Sequence, residues 1–173
     1  EVVLHVVNHQ RLLERLRDNL DDLAIMTQVP DGRALTYTPF AEHKLSLVAN
    51  PSHPLNQKSN ITLIELLEYP ILLRESGSGT RQIFERFCQQ QSCVIQHIRQ
   101  MGSNTAIQHA LNSGINCAVL PTAMISDAVA AGTLISLPVQ GFPIRRSWCT
   151  VHPRGKHLNP LTKAFHDLLH RAG

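Results

Sequence analysis

The sequence predicts an α/β fold with largely parallel sheet, and three observations carry that expectation. Short β-branched or fully apolar runs alternate with segments whose apolar residues recur at helical spacing. Three strand-to-helix turns, after Leu73, Arg99 and Leu120, fall in the middle of the chain, and open α/β sheets bind ligands outside the carboxyl ends of their strands. The 173 residues are 43% apolar and 17% charged, a globular composition with room for one domain or two small lobes.

Taken in order, residues 2–7 are mostly β-branched and read as a strand. From Gln10 to Asn19, Leu12, Leu13, Leu16 and Leu20 recur at helical spacing, with Arg11, Glu14, Arg15 and Asp18 facing water. Short strands follow at 23–27 and 45–49, the second ending in the turn-rich Asn50-Pro51-Ser52-His53-Pro54. Thr62-Leu63-Ile64-Glu65 has capping-box form for a short helix through Glu68. Ile71 to Leu73 is a strand leading through a Ser/Gly turn into a helix to about Gln91, and 94–99 reads as a further strand. Gly102-Ser103-Asn104-Thr105 caps a helix carrying Ile107, Ala110 and Leu111, with Gly114 at the C-cap. Ile115 to Leu120 is a fully apolar strand, and Pro121-Thr122 begins a helix that ends before Gly132. Strands at 134–139 and 147–152 follow, and Asn159-Pro160 opens a closing helix with Leu161, Phe165, Leu168 and Leu169 on one face.

The most informative stretch is Arg74-Glu75-Ser76-Gly77-Ser78-Gly79-Thr80-Arg81. A strand turning through small and hydroxyl residues into a helix start aims free backbone N–H groups, two Ser and a Thr at one spot. That spot suits a carboxylate, phosphate or sulfate, because the first helical turn lacks internal acceptors and sits at the positive dipole end. Arg81 adds either a charge-assisted donor to that spot or an i,i+4 pair with Glu85. The same residues also suit a well-capped loop without ligand, and the motif by itself does not choose.

The remaining chemistry is mostly exclusion. No Ser has a His and Asp at recognisable spacing, no His/carboxylate cluster marks a metal, and no Gly-rich nucleotide fingerprint appears, so the expectation is no catalytic residues, no metal and no cofactor. Cys88, Cys93, Cys117 and Cys149 lack C-x-x-C spacing and read as reduced thiols of a cytoplasmic protein, with Cys117 and Cys149 in buried strands. The net charge of +3 comes without a Lys/Arg run interleaved with aromatics, which argues against nucleic-acid binding by this segment. No apolar stretch reaches the roughly 18 residues of a membrane span. The abrupt start in an apolar strand-like segment reads as a fragment of something longer.

In order, five segments resemble the effector-binding domain of LysR-type transcriptional regulators. They are 1–9; Leu16-Arg17-Asp18-Asn19-Leu20-Asp21-Asp22-Leu23-Ala24-Ile25, with Asn19 where that family usually has Gly; 47–55, similar to its "L-V-x-P-x-x-H-P-L" signature; 72–81; and Ser113-Gly114-Ile115-Asn116-Cys117-Ala118-Val119-Leu120-Pro121. The resemblance implies a type 2 periplasmic-binding-protein-like fold, two Rossmann-like subdomains joined by crossing strands. One lobe would comprise 1–70 plus 140–173 and the other 71–139. The family's first strand and first helix, and its DNA-binding winged helix-turn-helix, are expected to be absent from this chain.

Carried over position by position, the resemblance implies an interlobe effector site. Its residues are Asn8, His9, Thr27, Gln28, Ser76, Ser78, Gly79, Thr80, Ser103, Asn104, Thr105, Pro121 and Thr122. The Arg-Glu-Ser-Gly-Ser-Gly-Thr-Arg form looks most like the branch regulating carbon-fixation and sulfur or nitrogen assimilation operons, whose effectors are anionic metabolites. The expected partners are therefore a small anionic effector, further copies in a homodimer or tetramer, and promoter DNA through the absent N-terminal domain, with no membrane. A periplasmic solute-binding protein for an oxyanion or small organic anion is the alternative. An enzyme related to amino-acid dehydratases or deaminases is a third reading, without an identifiable proton-transfer set.

Overall fold

The computed structural model describes every residue except Glu1, Asp31, Arg33, Ser113 and Gly173. Glu1 and Ser113 of the family-like segments thus lie outside the described residues. The chain divides into two compact units, Glu1–His43 with Arg146–Gly173, and Lys44–Arg145. Two strands, β2 (Leu35–Ala49) and β7 (Ile144–Pro153), run through both division points.

In the first unit, α1 (His9–Arg17) starts at Asn8, whose side-chain oxygen accepts from Arg11 N at 2.9 Å. Leu16, flanked by Leu12 and Leu13, buries against Ala24 and Met26 of β1 (Ala24–Met26) and Cys149 and Val151 of β7. β1 and β7 pair antiparallel, Ala24 opposite Val151. Asn19 leaves the helix at φ 53°, supplying the left-handed turn for which Gly is usual, and its side-chain oxygen accepts from Lys156 Nζ at 2.8 Å. Arg15 closes the same corner by a two-point bond to Asp21, at 2.6 and 2.8 Å. The closing α6 (Pro160–Ala172) is started by Asn159, which accepts from Thr162 N, and meets the strands through His170 against Phe40 and Thr150.

The second unit is a sheet covered on both faces. The end of β2 pairs antiparallel with β5 (Cys117–Pro121), Leu45 opposite Pro121 and Ala49 opposite Cys117. β3 (Ile71–Arg74) lies parallel to β5 on one side and to β4 (Ile98–Met101) on the other. β6 (Ile135–Ser136) pairs with β2 antiparallel. Alternate strand residues enter different layers. Leu45, Leu47, Ile71, Leu73, Cys117 and Val119 pack with α2 (Leu63–Leu67) and α3 (Gly79–Gln90) through Leu63, Leu66, Ile83, Phe84 and Cys88. Val48, Leu72, Ala118 and Leu120 pack with α4 (Asn104–Ala110) and α5 (Thr122–Ala130) through Ile107 and Ile125. Burial on both faces is why these strands read as unbroken apolar runs. The expected capping box forms in full: Thr62 Oγ1 accepts from Glu65 N, and Glu65 accepts from Thr62 N at 2.8 Å.

Several expectations are corrected. No strand forms at 2–7, where Val2, Leu4 and Val6 are exposed; a β-branched run becomes a strand only with a ladder partner, and none of the described strands pairs with it. The sheet is mixed, because β2 runs antiparallel to β5 and β6, and β7 antiparallel to β1. β2 begins ten residues before Leu45, since 35–44 is polar enough to lack a buried-strand signature. The strand expected at 94–99 sits later, at 98–101, set by pairing with β3. Helix α4 ends on Leu111 as C-cap; Gly114 is three residues beyond, at φ 81° in a turn. The division falls near 43 and 146, and 45–67 carries core residues shared with β3 and α3.

Candidate functional site

Strand order in the second unit is β5-β3-β4, all three parallel, so their carboxyl ends lie side by side along one edge of the sheet. Nine of the sequence-derived residues fall in the three turns that leave this edge. After β3 the chain turns through Glu75–Ser78, closed by Ser78 N donating to Glu75 O at 3.1 Å, with Gly77 at φ 91°. Ser76 is exposed. Ser78 is buried at the N-cap of α3, yet its hydroxyl makes no capping bond to the helix. A cap residue that leaves the first helical turn uncapped, followed by Gly79 and Thr80, keeps backbone donors available to an anion.

The second turn is different. Ser103 Oγ accepts from Ala106 N at 3.0 Å, so that hydroxyl is engaged in capping α4. Asn104 Oδ1 accepts from Arg74 Nη1 at 3.3 Å, tying the end of β3 to the start of α4, and Thr105 is exposed. In the third turn Pro121 precedes α5 without a side-chain cap, and Thr122 Oγ1 shares a 2.7 Å hydrogen bond with Ser46 Oγ. Ser46 escaped the sequence reading. Its signal was a lone hydroxyl inside Leu45-Ser46-Leu47-Val48-Ala49, and it is buried where an unpaired hydroxyl would be costly.

The cations of this edge are not loose. Arg81 Nε donates to Glu85 at 2.7 Å, the expected i,i+4 pair, and its Nη1 donates to Arg74 O and to Gln100. Arg81 therefore braces β3 against β4. Arg74 forks onto Glu75 at 2.8 and 3.0 Å.

Asn8, His9, Thr27 and Gln28 belong to the first unit. Asn8 spends its side-chain oxygen on capping α1. His9 opens that helix half-buried, and burial holds its pKa below the ordinary histidine value, favouring neutral imidazole. Thr27 and Gln28 follow β1. Gln28 Oε1 is buried and has no hydrogen-bond partner among the described residues, an open polar position of the sort a ligand satisfies.

His53, the histidine of the 47–55 segment, is structural. Its Nδ1 accepts from Leu55 N at 3.1 Å, so Nε2 carries the proton and faces Ile115 O at 3.2 Å; burial lowers its pKa. Burial pushes the Cys88 and Cys117 thiols up to about 12, which makes both poor nucleophiles. Among the described residues no cluster of three or more His, Cys, Asp or Glu is arranged to hold a metal, and no helix is long and apolar enough to cross a membrane.

A doubly covered α/β sheet whose parallel strands end in three adjacent polar turns is the architecture of type 2 periplasmic-binding-protein-like domains. The family model described as "LysR substrate binding domain" matches residues 1–173, and the chain belongs to that family: it is the effector-binding domain of a LysR-type regulator. It is 39% identical over 170 residues, 98% of its length, to a RuBisCO operon transcriptional regulator of Acidithiobacillus ferrooxidans, and covers 55% of that protein. It is 32% identical over 168 residues, 97% of its length, to the HTH-type transcriptional activator CmpR of Synechocystis, again covering 55%. The chain thus spans about half the length of these curated relatives. Among solved structures, the Synechocystis CcmR regulatory domain in complex with 2-PG superposes with a TM-score of 0.90 at 34% identity, over 99% of this chain and 83% of that one. The effector-binding domain of QuiR in complex with shikimate shares the fold, at a TM-score of 0.81 and 19% identity over 96% and 78% of the two chains. The curated relatives are transcriptional regulators, which does not favour the solute-binding alternative.

Proposed function

We propose that this domain senses a small organic anion, a phosphate- or carboxylate-bearing metabolite, and transmits its binding to a regulator that acts on promoter DNA. The observation that supports this most is the uncapped start of α3 behind Ser78, beside two further hydroxyl- and amide-bearing turns on the same sheet edge. Backbone donors and neutral side chains there, with both nearby arginines paired to carboxylates, favour one compact anion over a polyanion. The similarity to a regulatory domain that holds 2-PG points to the same chemical class. Effector contacts are assigned to Ser76, Ser78, Gly79, Thr80, Ser103, Asn104, Thr105, Pro121 and Thr122 of the second unit, and to Asn8, His9, Thr27 and Gln28 of the first. In the whole protein, oligomerisation as a dimer or tetramer in the cytoplasm and an N-terminal helix-turn-helix for DNA complete the proposal, in keeping with relatives named HTH-type regulators. The effector acts only through its differential affinity for two states of the assembly.

Calorimetric titration of the full-length protein with 2-PG, other phosphorylated acids, dicarboxylates and neutral sugars tests the reading. Saturable binding confined to the anions is expected. Heat only from neutral ligands, or from none of the panel, would remove it.

A further inference from the structure

One side chain at the candidate site does more than hold the fold together. Arg74, the last residue of β3, donates Nε and Nη2 to the two oxygens of Glu75 at 2.8 and 3.0 Å, and Nη1 to Asn104 Oδ1 at 3.3 Å. A guanidinium has only donors, so the amide must face it with oxygen; the opposite assignment would set N–H against N–H. Asn104 therefore turns its Nδ2 hydrogens away from Arg74, and among the described residues that nitrogen makes no hydrogen bond. The fork on Glu75 meanwhile offsets a carboxylate that directly precedes the Ser76–Thr80 turn.

We propose that Arg74 is a positioning residue that makes these turns selective for anions, fixing Asn104 as a donor and screening Glu75. The proposal rests on the effector reading above and adds what decides the ligand's sign. Arg74 need not touch the ligand; it acts through its two neighbours. An isolated Asn amide can present oxygen or nitrogen with a simple flip, so without Arg74 this position would serve an acceptor and a donor ligand alike.

The test compares the full-length wild-type protein with Asn104→Asp, Arg74→Leu and the double variant Arg74→Leu/Glu75→Gln, each titrated with 2-PG at fixed ionic strength and melted without ligand. Asn104→Asp exchanges the donor for a carboxylate that pairs with Arg74 and suits a helix start. Its thermal stability should hold or rise while affinity falls by about tenfold or more. Arg74→Leu should lose affinity on about the same scale, and adding Glu75→Gln should recover a measurable part, about threefold or more. A purely structural Arg74 would make affinity track stability, and the second substitution would recover nothing. Asn104→Asp binding 2-PG as wild type does, or no rescue in the double variant, overturns the proposal. A wild-type protein that binds no anion overturns the effector reading first, and this inference with it.

Discussion

The two serines at N-cap positions of the second unit, Ser78 and Ser103, are expected to divide binding from folding, and the division is measurable. Ser103 Oγ accepts from Ala106 N, so Ser103→Ala deletes a real cap and should cost about 1 kcal/mol, within the usual range of 0.5–2. For a chain of this size that is a fall in Tm of about 2–4 °C. Ser78 occupies the equivalent position on α3 and makes no such bond. Ser78→Ala should therefore leave stability within about 0.5 kcal/mol of wild type. If its hydroxyl serves an anionic effector, the loss is a hydrogen bond to a charged group, about 1.5–3 kcal/mol, or roughly 10- to 150-fold in Kd. Urea denaturation of both variants, paired with titration by 2-PG, reads both quantities. Opposite profiles are expected: Ser103→Ala loses more in stability than in affinity, Ser78→Ala more in affinity than in stability. If Ser78→Ala melts as early as Ser103→Ala and binds as tightly as wild type, the uncapped turn is structural and the argument from it fails.

Other outcomes follow from packing and charge. Ile107→Ala opens a cavity in the layer shared with Leu72 and Leu120, where Ile107 is fully buried, and should cost about 2–5 kcal/mol by urea denaturation. Gly141→Ala should lower Tm clearly, because φ is 83° and a new Cβ would lie 2.7 Å from Phe87 Cζ; a neutral result would mean that neither the left-handed backbone nor Phe87 resists the added methyl. His53 titrates against the fold. Its pKa is depressed from 6.5, so its contribution is present above that value and lost as pH falls through the folded-state pKa, while the unfolded chain takes the proton first. Stability measured from pH 7.5 down to 5 should decline less steeply in His53→Asn, which keeps a capping oxygen without a titrating group.

Much of this molecule was legible because its signals are local. The capping box at Thr62, the Ser103 cap, the helices near 9–17 and 160–172 and the apolar runs of β3 and β5 all follow from short-range spacing. The turn from Arg74 to Arg81 announced a strand-to-helix transition, and the family was readable from five ordered segments. Pairing was not legible. The apolar residues 2–7 have strand propensity without a described ladder, while the polar 35–44 are strand because they have one. Nor could spacing say how hydroxyls are used: Ser78 and Ser103 sit in like contexts, and only the folded backbone makes one a cap and leaves the other uncommitted. Ser46 against Thr122 and Arg74 against Asn104 join residues 76 and 30 positions apart. Helix starts and doubly buried strands are written into short stretches of sequence, because capping and apolar spacing act within a few residues. Strand pairing and the partners of each hydroxyl and amide are set by the folded chain, because they join residues that meet only when the sheet closes.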